Sequence, residues 1–469
     1  MKIKKSVVCT LAAVAGFIVS AKAEFMVGYG RVDVTPPLGT HLSGYFHKRL
    51  ADGILDPLDA IAIAFSDGTN RAVVMSLDII SLRGYFDLYR EGVAAATGLD
   101  PQAVFIACTH THTGPLVGSC RYGKKLDSFE RANNYEKWLL DQFATAAKIA
   151  LNDLAPAKLG IARGEAKGIS FIRRYRMKDG SCRTNPGVGN PDIVAPIGEA
   201  DEQVQLVRVD RTGKPSIAIV NFQCHPDTIG GNKISADWPR VVRETVESVL
   251  DDVKCVFVNG PQGDSNHICT DPAKRSPYLT RQTVYKHMGR KIGGVAVGLW
   301  DECRPVDVGK VGYSIAKVKV KSNRGRPEQL PEAERIVALH RSGQFAKIPG
   351  DTGMQKTTAC AEASRILQLA NGPDYFDFPL STVTVGEALA FVGIPGEPFT
   401  GYGISMKKRS PFAMTVSACL VNGNFGYLPT DEAFKETGYE TQGSLFVKGL
   451  EKAIVEGHLE QLERLFKNK

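Results

Sequence analysis

The chain has 469 residues, a formal net charge of +8, 43% hydrophobic and 23% charged residues, and ten cysteines. That charge is mild for the length, and no dense Lys/Arg run is interleaved with aromatics, which argues against a nucleic-acid partner. Beyond residue 23 no stretch approaches the roughly 20 apolar residues of a transmembrane helix, and there is no internal repeat, low-complexity tract or C-x-x-C pair.

Residues 1–23 read as a secretion signal. Lys2, Lys4 and Lys5 make a basic start, 6–20 is largely apolar but too short to span a bilayer, and Ala21-Lys22-Ala23 fits a small-x-small cleavage site. Cys9 lies inside the apolar run rather than at its end, which argues against a lipid anchor. Removing the signal leaves 446 residues with a net charge near +4 and nine cysteines. The expected location is secreted or periplasmic. Export permits disulfides, but Cys108, Cys224 and Cys255 sit in apolar strand-like runs and are expected as buried free thiols.

Strands are expected over 25–34, 60–65 and 72–80, the last carrying Asp78 near its end, and helices over 85–97 and 134–154. The turn Arg211-Thr212-Gly213-Lys214 joins 203–209 and 216–224 as a hairpin. A helix follows over 237–251, a strand over 254–258, and a long helix over 280–303 with a Gly-Gly break. Lys317 to Lys321 alternate Lys and Val, so 310–321 reads as a half-exposed strand. A second hairpin (381–384 and 388–394), a strand over 414–421 and a helix over 445–466 complete the pattern. Pro and Gly punctuate 322–378, which reads as loops around two helices inserted over the site. The sum is an α/β fold: mixed β-sheets covered by helices in a single large catalytic domain, 24–469.

Several polar clusters share one design, in which an apolar strand runs into polar residues and glycine. His110-Thr111-His112-Thr113-Gly114-Pro115 follows the run 103–108, and imidazoles at i and i+2 on an extended backbone point to one side. His225-Pro226 ends the strand 220–224. Asn259-Gly260-Pro261-Gln262-Gly263-Asp264-Ser265-Asn266-His267 follows 254–258, with the blander alternative of a surface turn. Pro395-Gly396-Glu397-Pro398 offers a carboxylate that either caps a helix or binds a metal. In Asn422-Gly423-Asn424-Phe425-Gly426-Tyr427-Leu428-Pro429 the aromatics read as packing. His110, His112, His225 and Glu397 together would make a hydrolytic zinc site, since imidazole and carboxylate are typical zinc ligands. No H-E-x-x-H, G-x-S-x-G or Walker glycine loop offers a rival chemistry. The run Gly263 to His267 is similar to part of a metallophosphoesterase signature but lacks its separate G-N-H and G-H-x-H blocks.

Seven blocks then resemble the neutral/alkaline (non-lysosomal) ceramidases, in that family's order. They are Gly28 to Pro37, His110 to Pro115, His225-Pro226, Ser235-Ala236-Asp237-Trp238-Pro239, Asn259 to Asp264, Pro395-Gly396-Glu397 and Gly426-Tyr427-Leu428-Pro429-Thr430. The resemblance implies a zinc amidase that splits ceramide into a fatty acid and sphingosine. It implies His110, His225, Glu397 and Tyr427 as zinc ligands and His112 as a catalytic residue beside the metal. It also implies Tyr439 at the substrate or oxyanion and a site arginine at Arg173, with Arg174 the alternative. Two departures are expected to matter. The chain ends too soon after Tyr439 for the family's C-terminal immunoglobulin-like domain, and Leu116-Val117 replace glycines of the family block. The expected function is therefore an exported zinc-dependent hydrolase, first an amidase on ceramide or a similar N-acylated molecule, through attack of a zinc-activated water. The alternatives are a carbohydrate or ester substrate, or a secreted binding protein. A small-molecule or lipid substrate, with transient contact at a membrane surface, is the expected partner.

Overall fold

Long apolar strands need both faces covered, and this chain meets the need by stacking two sheets between helices. The computed structural model describes residues 24–118 and 133–467; the expected signal over 1–23, with Cys9, lies outside them. The first sheet runs in spatial order Val253–Asn259, Ser216–Phe222, Gln203–Arg211, Ala155–Glu165, Met26–Asp33, Asp59–Ser66, Arg71–Leu77 and Val104–Cys108, with Arg304–Val306 beside Ala155–Glu165. Its two outermost pairs are parallel, so each needs a crossover. Helices Trp238–Val249 and Phe86–Thr97 supply them. The second sheet runs Val311–Lys321, Tyr375–Val385, Leu389–Ile394 and Met414–Cys419. Its last pair is also parallel and is crossed by helix Thr400–Arg409.

The sheets pack face to face. Ile61, Phe65, Phe105, Val207 and Ile219 of the first share one core with Val383, Phe391 and Val416 of the second. Helices Phe86–Thr97 and Asn134–Asn152 cover half of the outer face of the first sheet. Trp238–Val249 and Val284–Leu299 cover the other half, while Thr400–Arg409 and Leu450–Lys467 cover the second sheet. The α/β reading with mixed, helix-covered sheets thus describes the fold. Eight described cysteines are free; Cys108, Cys224 and Cys255 are buried, and burial pushes the Cys224 thiol up to about 12. No helix among the described residues is long and apolar enough to cross a membrane.

One strand was not anticipated and two expectations needed correction. Strand Ala155–Glu165 was hidden by Pro156, Gly160 and Gly164; both glycines lie where a Cβ would press on Cys303 or Val295. The last helix starts at Leu450 rather than 445, because Phe446 drops into the core and Gly449 takes a φ of 101°. Helix Val284–Leu299 is not broken at Gly293-Gly294. Its glycines are packing devices: a Cβ on Gly289 would meet Val241 Cβ at 2.3 Å, and one on Gly293 would meet Thr245 Cβ at 2.7 Å.

Gly294 faces open space. Gly294→Ala should therefore stabilise the protein by about 1 kcal/mol through helix propensity. Gly289→Ala should destabilise it by about 1–3 kcal/mol, overpacking outweighing the same propensity gain. Chemical denaturation of the two variants checks the opposite signs.

Candidate functional site

A parallel pair sends both carboxyl ends the same way, and clefts form at such ends. The segments after Cys108, Phe222, Asn259 and Ile394 meet at one such end. The expected strand alternation does not align the two histidines, since the strand stops at Cys108 and His110 takes a left-handed φ of 75°. Backbone bonds hold this bend: Thr109 donates to Leu77 O at 2.8 Å and His110 to Ile79 O at 3.1 Å. Asp78 anchors the turn from beneath, accepting from Arg243 at 2.6 and 3.0 Å and from the Asp59 backbone at 3.0 Å.

His110 Nδ1 lies 3.0 Å from Ile80 O, and His225 Nδ1 lies 2.9 and 3.0 Å from Gln262 O and Ser265 O. A carbonyl can only accept, so both Nδ1 atoms carry the proton and both Nε2 atoms present a lone pair. Those lone pairs face Glu397 Oε2 at 3.3 Å each. The carboxylate oxygen is buried and makes no hydrogen bond to either ring. Burial first, then Arg173, pushes His225 down to about 3. Three electron-rich atoms converging without a proton between them are a donor set for a cation, and N/O donors of this kind suit zinc. The residues therefore fit the metal the sequence leads one to expect. Glu397 does not cap the next helix; Asp264 does that, accepting the Thr400 N–H at 2.8 Å.

His112 completes a buried triad, with one ligand atom from each of His110, His112 and His225 within 4.8 Å of the others. Its Nε2 is 3.3 Å from His110 Nε2. The hairpin after His41 grips it. Gly44, at φ 104°, passes so close that a Cβ would lie 2.7 Å from the His112 ring, and Arg49 donates to His112 O at 2.5 Å. Asp227 Oδ1 lies 3.6 Å from His112 Nδ1 and accepts a short bond from the Tyr45 hydroxyl. Burial first, then His110, pushes His112 well below its ordinary value, so its ring is neutral near pH 7.

Arg173, not Arg174, reaches this centre. Its Nη1 lies 3.3 Å from His225 Nε2, and its guanidinium lies 5.1 Å from the Tyr427 ring centre. The Tyr439 ring is 5.3 Å from that of Tyr427. Burial, then Glu397, raises the Tyr427 hydroxyl well above its ordinary value. Glu440 was not anticipated. It is fully buried, accepts from Arg173 Nε and Thr184 Oγ1 at 2.8 Å each, and sits 3.6 Å from Arg174 Nε. Its place in Gly438-Tyr439-Glu440 was the available signal. Tyr45, Arg49 and Asp227 were missed as well; only Asp227, two residues after His225, stood beside a recognised motif.

Above the cluster lies a cavity of about 380 Å³ bounded by His110, His112, Glu397, Tyr427 and Tyr439, with Ala361, Ser364 and Gln368 from helix Gly353–Leu369 on its far wall. Of the segment 322–378, this helix is the part that lines the cavity. Val117 points into the core and Leu116 N bonds His41 O at 2.7 Å, so these two residues dock the loop to the hairpin rather than line the cavity. A larger cavity of about 850 Å³ at 306–313 and 384–388 contains none of these side chains.

Glu440→Gln leaves two buried guanidiniums without their counter-charge. It should cost about 3 kcal/mol, read as a lower denaturation midpoint, whereas Glu436→Gln at the exposed Arg176 pair should change little.

No family model matches the chain, and no curated protein matches it in sequence. Solved structures do. The neutral ceramidase from Pseudomonas aeruginosa superposes with a TM-score of 0.71 at 16% identity, covering 94% of this chain and 75% of that one. A structure described as ceramidase complexed with C2 gives 0.67 at 15% identity, covering 94% and 76%. The likeness covers 94% of this chain, so the chain has the fold of the neutral ceramidases.

Proposed function

We propose that the chain is a zinc-dependent hydrolase of N-acyl amides, in the class of reaction that ceramidases perform. The observation that carries this reading is the convergence of His110 Nε2, His225 Nε2 and Glu397 Oε2 beneath a cavity. These three, with the Tyr427 hydroxyl, are the residues that would hold the ion. When bound, zinc would polarise an amide carbonyl and lower the pKa of a water. His112, neutral and braced by the hairpin, takes a proton from the attacking water and passes it to the leaving nitrogen. Arg173 and the Tyr439 hydroxyl would stabilise the charge that develops on the carbonyl oxygen. Glu440 keeps the Arg173 fork in place. Residues 24–469 form the hydrolase domain, and the signal read at 1–23 delivers it to the periplasm or the medium.

Zinc-loaded protein should release fatty acid from at least one member of a panel of ceramides and other N-acyl amides. No release from any of them, with turnover of ester or glycoside chromogens instead, would remove the amidase reading. His225→Ala should lose both zinc, measured by elemental analysis, and activity. His112→Ala should keep zinc and lose about 10²- to 10⁴-fold in kcat. Equal zinc loss in both variants would place His112 on the metal.

A further inference from the structure

Beside the site lies a second cavity of about 380 Å³ that the mechanism does not use. Tyr45 lines both cavities, and Asp227 of the second faces His112 of the first at 3.6 Å. Arg275, Arg281 and His267 line the second cavity together with apolar side chains, among them Leu279. Lys274 is paired with Asp271 at 3.7 Å, whereas Arg275 and Arg281 make no ion pair among the described residues. The exposed Arg281 packs over Gly230: its Nη2 lies 2.2 Å from where a Gly230 Cβ would be, and the Tyr45 hydroxyl lies 3.4 Å from that same point. Gly230 has a φ of 65°, and its missing side chain is what gives the guanidinium its seat.

His267 Nδ1 is buried and has no hydrogen-bond partner. Burial pushes this imidazole down to about 4, with Asp227 opposing and Arg281 and Arg275 reinforcing. It is therefore a neutral ring that lines the cavity without adding charge to it. Two guanidiniums and a neutral imidazole facing one space suit a carboxylate, which arginine can bind with two parallel bonds. Asp227 is the opposing charge in this space, and its Oδ1 is already engaged by Tyr45.

The position relative to His112 decides which half of a substrate would reach this cavity. His112 returns the proton to the leaving nitrogen, so the group carried by that nitrogen lies on the His112 side. We propose that the second cavity binds the carboxylate of an N-acyl amino acid, on the amine half of the scissile bond. This inference rests on the amidase reading above and narrows its substrate class. Water adds across the amide: the C–N bond breaks, a C–O bond forms, and the products are a fatty acid and a free amino acid.

The test separates binding from turnover. N-decanoylglycine, its methyl ester and decanoic acid are titrated calorimetrically into zinc-loaded His112→Ala protein, alone and combined with Arg281→Met, Arg281→Lys or Arg275→Met. The acid should bind at least tenfold tighter than the ester, Arg281→Met should abolish that preference, and Arg281→Lys should restore part of it. Equal binding of acid and ester overturns the proposal, as does a preference indifferent to both arginines. Decanoic acid binding as tightly as N-decanoylglycine, with the same dependence on Arg281, assigns the cavity to the acid product and overturns the substrate class. A carboxylate preference in binding with no hydrolysis of any amide by the wild-type enzyme upholds the cavity and overturns the amidase reading instead.

Discussion

Hydrogen bonds from the Nδ1 atoms of two imidazoles to backbone carbonyls set the chemistry of this protein. Ile80 O on one side, and Gln262 O with Ser265 O on the other, determine which nitrogen of His110 and His225 carries a proton. Once that is settled, both Nε2 atoms must offer electrons to the same point as Glu397. Such an arrangement is repulsive by itself and is tolerated only because the surrounding backbone is held rigidly, the situation in which functional sites store strain. The left-handed backbone of His110 belongs to the same constraint: it turns the ring away from the strand axis and toward its two partners.

The rest of the architecture serves to hold those carbonyls still. Each of the three parallel pairs in the two large sheets delivers its chain ends to one side, and polar side chains tie the sheets together. Asn259 Nδ2 donates to Thr109 O at 2.9 Å, and Asn422 Nδ2 to Val104 O at 3.0 Å. Charge is balanced at two depths. Beneath the site Asp78 and Asp59 neutralise Arg243. Beside it Glu440 neutralises Arg173, which would otherwise leave a guanidinium next to the histidines without a buried counter-ion. The second of these arrangements fixes the direction of the guanidinium as well as its charge.

Much of this was legible in the chain. The strand-then-polar-then-glycine design located His110, His225, Asp264 and Glu397 because apolar runs of five to seven residues are strongly periodic and their ends are abrupt. Tyr427 is different: a tyrosine in a Gly-rich turn has the same local pattern whether it packs or ligates, and only the resemblance singled it out. Asp227, Arg49 and Glu440 act across 115, 63 and 267 positions of sequence. No local period can reveal such pairings. The carbonyls of Ile80 and Gln262 are less visible still, since every residue has one and the fold alone decides which of them meets an imidazole. Gly293-Gly294 misled in the opposite direction, because a helix-breaking pair and a close helix contact are written with the same letters.

His110, His225 and Glu397 come from widely separated parts of the chain, and none of the three lies on an element that pairs locally with another's. The order in which the protein is made follows from this. Non-local pairings close late in folding, after the loops between them have lost their freedom. A partly folded chain can have its helices, and even its first sheet, without owning any point where three donors meet. Ion capture would then be a step available only to a nearly finished molecule, and an ion bound there would act as a latch that closes over completed folding. The nascent chain, carrying scattered imidazoles and reduced thiols, would hold metal only loosely until both sheets had come together.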